Sequence, residues 1–151
     1  MGERGRLVFG GAVAGFGLGG VLDVLVFHHL LGTHHLLSNY RDPGTLSGLQ
    51  WNVFWDGAFA LAMLAVAVAG SAVAWGTANR SDEPLSPRRL VGSALVGAGL
   101  FNLFDGTVDH YVLELHHVVH GTTHWDPHWV LASVLLLAGG AAVLGAGENS
   151  R

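Results

Sequence analysis

The sequence predicts an all-α integral membrane protein whose four transmembrane helices form two duplicated helical hairpins. Three observations predict this class: half of the 151 residues are hydrophobic, only 12% are charged, and four apolar runs are long enough to cross a bilayer. A soluble domain carries about 25% charged residues, whereas a membrane-spanning helix needs about 20 mostly apolar residues. We therefore expect a multi-pass protein of the cell membrane that is embedded in the lipid bilayer.

The four apolar runs follow one another with short polar connections. They cover roughly residues 7–31, 51–75, 90–113 and 128–146. Many of the 23 glycines fall inside these runs, where small residues let helices pack closely. We expect a four-helix bundle with tryptophans at the membrane–water boundaries, namely Trp51, Trp55, Trp125 and Trp129.

The chain divides into one membrane domain made of two hairpins. We expect a first hairpin repeat at residues 1–76, a cytoplasmic linker at 77–89 and a second hairpin repeat at 90–151. An even number of crossings keeps both hairpins in the same orientation. The pseudo-twofold axis that relates them should therefore run along the membrane normal.

The distribution of basic residues predicts the orientation. All seven basic residues are arginines, and only Arg41 lies outside the N-terminus, the linker and the C-terminus, where Arg151 ends the chain. The positive-inside rule then places both termini in the cytoplasm and the His-rich loops on the extracytoplasmic side. The net charge of −4 is diffuse, and it does not indicate a nucleic-acid partner.

A pattern of one aspartate and three histidines occurs twice, which is the main evidence for an internal duplication. The pattern is Asp-x4-His-x5-His-His, and its copies begin at Asp23 and Asp105. The first copy contains His28, His34 and His35, and the second contains His110, His116 and His117. Three glycines share the same offset, because Gly10, Gly15 and Gly17 correspond to Gly92, Gly97 and Gly99. The second and fourth helices also resemble each other, since Trp51 and Asn52 read against Trp125 and Asp126.

The sequence allows two arrangements of the first copy, one on a continuous α-helix and one in which the helix ends near Gly32. On an α-helix at 100° per residue, Asp23 and His34 lie on nearly one face, and His28 and His35 lie on another. Gly32 is also a residue at which the first helix can end. In that case His34 and His35 lie in a loop that folds back.

Buried imidazoles and carboxylates are the ligand types that indicate a metal site in this chain. The chain has no cysteine, so thiolate ligands and disulfides are excluded. A carboxylate near the bilayer centre costs roughly 2.5–3.5 kcal/mol, so several at one depth require compensation by metal, protons or water. The candidate ligands are His28, His34, His35, His110, His116, His117, Asp23, Asp105, Asp109, Glu114 and Asp56. Glu114 and His117 also match the Glu-x-x-His spacing of carboxylate-bridged di-iron bundles, although that spacing occurs once.

Several functions agree with this ligand set. Copper is favoured over zinc by the affinity order of divalent ions, and iron also accepts imidazole and carboxylate. One alternative is a b-type haem protein with His28 and His110 as axial ligands. Others are a proton relay and an accessory subunit of a larger membrane complex. His120, His124 and His128 are interpreted as residues of the water boundary. The sequence leaves enzymatic activity and homo-oligomerisation open.

The chain resembles a family of small four-helix membrane proteins that is known only as a domain of unknown function. The resemblance rests on Gly-x-Gly-Gly-x-x-Asp ending at Asp23, on a later Phe-Asn-Leu-Phe-Asp-Gly block at 101–106, and on the histidine pairs. It implies a setting near respiratory oxidase assembly, and therefore copper. The chain departs from the family pattern at three residues: His29 replaces a Gln, and Ala60 and Tyr111 each replace a His.

Overall fold

The computed structural model describes residues 1–81 and 86–146, so linker residues 82–85 and Arg151 lie outside the described residues. The described part of the chain is helical and contains no named strand. Four of its helical stretches are long and apolar enough to cross a membrane, which confirms the predicted all-α fold with four spans. The elements are α1 (Glu3–Asp23), π1 (Val24–Leu30), α2 (Leu46–Ala78), α3 (Pro87–Phe104), π2 (Asp105–Val112) and α4 (Asp126–Gly145).

The starts of α2 and α3 are fixed by capping residues. The Thr45 hydroxyl accepts a hydrogen bond from the Gly48 N–H at 3.1 Å, so α2 begins at Leu46 and is longer than expected. Ser86 caps α3 in the same way, and Pro87 follows it at the first helical turn, where a missing N–H costs nothing.

The first and third helices both change to a π-helix near the repeated pattern of aspartate and histidine. In π1 and π2 the hydrogen bonds span five residues, as in the bonds from the Leu31 N–H to Val26 and from the Leu113 N–H to Val108, both 2.8 Å. Residues five apart point about 140° away from each other on an α-helix. The wider π turn brings the aspartate and the first histidine of each copy to the same side.

Two residues after each π-helix, the chain adopts left-handed backbone geometry. Gly32 has a φ of 59° and Glu114 has a φ of 50°. The second and third histidines of each copy therefore lie in loops, and the continuous α-helix that would carry them is not formed. The loop alternative that Gly32 suggested is the one observed.

The helices pack in the order α2, α1, α3, α4, with α1 and α3 as the inner pair. Glycines permit the close approach of this inner pair. A Cβ atom on Gly15 would overlap the backbone of Ala94, and one on Gly97 would overlap the backbone of Ala12. Large apolar side chains on α2 and α4, such as Leu61 (69% exposed), face outward, as expected for a lipid-facing surface.

Candidate metal centre

Six buried side chains from the two halves of the chain meet between the inner helices and their loops. The first half, made of α1, π1, α2 and their loop, contributes three of them. The second half, made of α3, π2, α4 and their loop, contributes the other three. None is more than 4% exposed. We call these six residues the His–Asp cluster: Asp23, His28, His34, Asp105, His110 and His116.

In the first half, one carboxylate faces two imidazoles. Asp23 places Oδ2 at 3.2 Å from Nε2 of His28 and Oδ1 at 3.8 Å from Nε2 of His34. These are separations between neighbouring ligand atoms, because donors bound tetrahedrally at 2.0–2.1 Å lie about 3.4 Å apart.

The second half repeats this arrangement. Asp105 places Oδ2 at 3.3 Å from Nε2 of His110 and Oδ1 at 3.4 Å from Nε2 of His116. The two sets meet where the rings of His34 and His116 stack, with centroids 4.8 Å apart and planes 9° apart. The six side chains thus form one continuous polar cluster.

Asp56 orients the histidines of the first half from α2. The Nδ1 atom of His28 lies 2.7 Å from Asp56 Oδ1, and that of His35 lies 2.7 Å from Oδ2. The backbone N–H of Leu36 also donates to Oδ1 at 2.9 Å. Asp56 therefore holds the far side of one cluster imidazole and fixes the ring orientation, as carboxylates behind metal-bound histidines do.

Asp126 plays the same part in the second half, at the start of α4. Its Oδ1 lies 3.3 Å from Nδ1 of His110, and its Oδ2 lies 2.8 Å from Nδ1 of His117. The backbone N–H of Val118 donates to Oδ1 at 3.0 Å. Asp126 was not among the site residues predicted from the sequence.

The sequence does contain a short pattern that relates Asp126 to Asp56. Both carboxylates directly follow a tryptophan, in the dipeptides Trp55-Asp56 and Trp125-Asp126. The contacts therefore pair Asp126 with Asp56, whereas the expected alignment paired it with Asn52, one helical turn earlier. Asn52 instead binds backbone carbonyls of Arg41 and Gly48.

The two loops exchange hydrogen bonds that complete the cluster. Nδ1 of His34 lies 3.0 Å from the carbonyl oxygen of Val118, and Nδ1 of His116 lies 3.2 Å from that of Leu36. A carbonyl only accepts, so each Nδ1 carries a hydrogen, and each ring directs its Nε2 into the cluster. Burial, with the nearby imidazoles of His116 and His28, lowers the pKa of His34 to about 2, so this ring is neutral.

Six side-chain atoms that point into the cluster have no hydrogen-bond partner among the described residues. Among the described residues, Nε2 of all four cluster histidines has no hydrogen-bond partner, and neither do Asp23 Oδ1 and Asp105 Oδ2. His28 Nε2 is only 3.2 Å from Asp23, but that contact lacks hydrogen-bond geometry. Buried polar atoms without partners cost about 1–3 kcal/mol each. Bound cations would satisfy these atoms.

The remaining candidate ligands lie beside the cluster or outside it. Asp109 is buried, at 7% exposure, whereas Glu114 is exposed and its backbone carbonyl accepts from Asn39. The structure therefore does not bring Glu114 into the cluster. His35 contacts the ring of His120, with centroids 5.6 Å apart, on the outer side of Asp56. Burial lowers the pKa of His120, and the neighbouring His35 adds to this effect.

One of the four tryptophans expected at the membrane–water boundaries is buried instead. Trp51, Trp55 and Trp125 are exposed, but Trp129 is 9% exposed and packs edge-on against Phe27 at 4.8 Å. Trp129 lies about one turn after Asp126 on α4. Because Asp126 faces His110, the same face of α4 places Trp129 beside the cluster. His124 and His128 are exposed, as predicted for boundary residues.

The fold and the cluster define a class: a multi-pass membrane protein with buried His and Asp groups that could hold a metal ion. The chain belongs to the family of predicted membrane proteins DUF2243, whose family model matches residues 10–147. This confirms the resemblance to a membrane-protein family of unknown function. Neither a curated protein nor a solved structure matches the chain.

Proposed function

We propose that this protein is a membrane metalloprotein whose His–Asp cluster binds a transition metal. The observation that carries the proposal is the convergence of four buried Nε2 atoms without hydrogen bonds. Three of these imidazoles are hydrogen-bonded from behind by a carboxylate or a carbonyl, and Asp126 lies 3.3 Å behind the fourth, that of His110. Such groups are found behind metal-bound histidines. A core built only for packing would not bury six such groups together.

Copper is the first candidate ion. Imidazole and carboxylate suit Cu(II), zinc and iron, and the affinity order of divalent ions favours copper. The near-complete burial of the ligands favours a resident centre over a carrier that hands its ion on. We place the centre toward the extracytoplasmic face on the arginine distribution, with both termini cytoplasmic. Copper would give the protein a setting beside a respiratory oxidase, which co-purification would test.

The geometry favours a metal ion over haem. A haem between His28 and His110 needs a flat space between the two rings. The rings of His34 and His116 occupy that region, since their centroids lie 4.5 Å from His28 and 4.7 Å from His110 respectively. We therefore prefer a centre of bare ions.

We further propose that the cluster lies on the pseudo-twofold axis of the duplicated hairpins. The support is the pairwise match of contacts with an offset of 82 positions (from Asp23 to Asp105) in the inner helices and loops. The backbone bonds that end π1 and π2 match with the same offset, at 2.8 Å each.

The test is the metal content of protein purified in mild detergent, measured by mass spectrometry. We expect bound metal in the wild type and its loss in the His28→Ala/His110→Ala double variant. The matched control is His124→Ala/His128→Ala, which removes two exposed histidines outside the cluster. A wild-type protein without metal, or a double variant that keeps it, would contradict the proposal.

A proton relay is the second candidate, and one observation favours it. A chain of contacts runs from His117, whose side chain is 17% exposed, through Asp126 and His110 to Asp105. Alternating carboxylates and imidazoles of this kind can carry protons. This candidate predicts proton flux in liposomes from protein that contains no tightly bound metal.

A further inference from the structure

We propose that the centre holds two metal ions, bridged by the carboxylate of Asp105. This inference rests on the proposed metal-binding function and adds the number of ions and the mode of bridging. It has three grounds: the spread of the donor atoms, the orientation of the Asp105 carboxylate and the balance of charge.

The donor atoms are spread too widely for one ion. Opposite ligands of a single ion with bonds of 2.0–2.1 Å lie at most about 4.2 Å apart. The six side chains do not form one group within 4.8 Å. They form two overlapping groups within that limit, one of His28, His34 and His116 and one of Asp105, His110 and His116. One nitrogen binds one ion, so His116 serves one group, and six donors require two ions.

Asp105 directs its two oxygens to different histidines, as a bridging carboxylate does: Oδ1 lies 3.4 Å from Nε2 of His116 and Oδ2 lies 3.3 Å from Nε2 of His110. One ion would be bound by His28, His34 and His116, with Asp105 Oδ1 beside His116. The other would be bound by His110 with Asp105 Oδ2. Asp23, which lies 3.2 Å from His28 and 3.8 Å from His34, would complete the first ion.

Charge balance supports the same count. Four carboxylates contact the imidazoles of the cluster: Asp23, Asp56, Asp105 and Asp126. With neutral histidines these four and the nearby buried Asp109 carry a formal charge of about −5, most of which two divalent ions would cancel. A single divalent ion would leave about −3 in a site surrounded by apolar helices, where uncompensated charge is costly.

The experiment counts ions and tests their coupling. Purified protein is stripped with a chelator and titrated with Cu(II) alone, and bound copper per chain is measured by mass spectrometry on the folded fraction. We expect two equivalents. We also expect the electron paramagnetic resonance signal of Cu(II) to weaken as the second equivalent binds, because bridged ions couple magnetically.

Two variants sharpen the test. Asp105→Asn should lower the stoichiometry below two and abolish the coupling, whereas Glu114→Gln, which changes an exposed carboxylate two residues after π2, should keep two coupled ions. One equivalent of uncoupled copper in the wild type would overturn the dinuclear centre and leave the proposed function standing. No bound copper would overturn both. Should Asp105→Asn fail to fold, His110→Ala removes a ligand of one ion only and should leave one uncoupled ion.

Discussion

The two halves of the molecule differ least where they face the His–Asp cluster and most where they face away from it. The cluster residues and the carboxylate behind them are the same types in both halves. Outside it, Tyr111 stands where the first half has His29, and Glu114 stands where it has Gly32. Both of these second-half residues are exposed. The comparison indicates that the cluster, more than the scaffold around it, accounts for the likeness of the halves.

One difference lies close to the cluster. Phe27 packs against Trp129 and stacks beside His34, whereas the equivalent position in the second half is the buried Asp109. The two sides of the centre therefore offer matching ligands in unlike surroundings, one aromatic and one acidic. Such a difference would give two ions unequal affinities and potentials.

The largest effect should come from the glycines where the inner helices cross. Gly15→Leu and Gly97→Leu should each prevent stable folding, at a cost of at least about 3 kcal/mol, because the obstacle is backbone that cannot move aside. Thermal unfolding in detergent, followed by circular dichroism, measures this. Gly139→Leu is the control, since a Cβ there meets nothing within 4 Å. Tolerance of either inner substitution would show that the two halves do not pack as described.

A smaller effect is expected from the carboxylates behind the histidines. Asp56→Asn and Asp126→Asn should each weaken metal affinity by about 10–100-fold, the usual cost of removing a group that orients a ligand. Competition titration against a chromogenic chelator measures the affinity. The equivalence of the halves predicts losses of similar size. A loss confined to one variant would mean that the ion is held by one half.

The smallest effect should come from the left-handed residues at the ends of π1 and π2, and here the halves should respond oppositely. Gly32→Ala should destabilise the fold by roughly 1–2 kcal/mol, because a side chain there is strained at φ 59°. Glu114→Gly relieves that strain and should stabilise it by up to about 1 kcal/mol. Both are read from thermal unfolding. Metal content should not change in either variant, and a loss of metal in Glu114→Gly would restore Glu114 as a ligand.

Much of this arrangement was accessible from the sequence. The apolar runs predicted four spans, and the aspartate–histidine pattern singled out all six cluster residues. The outer carboxylate of the first half, Asp56, was also found, because an acidic residue inside an apolar run is costly. Asp126 was missed because it lies at a helix start, where an acidic residue is ordinary and carries no signal of burial.

Hydropathy and residue type depend on composition and local spacing, so the sequence was enough to predict the membrane class and the residue types of the cluster. Tertiary structure alone decided how the ligands meet. The π turns rotate Asp23 and Asp105 toward their histidines, and the loops hold His34 and His116 through carbonyls of the opposite half. Those contacts join residues more than 80 positions apart, as between His34 and Val118, so they arise only when α1 and α3 pack together.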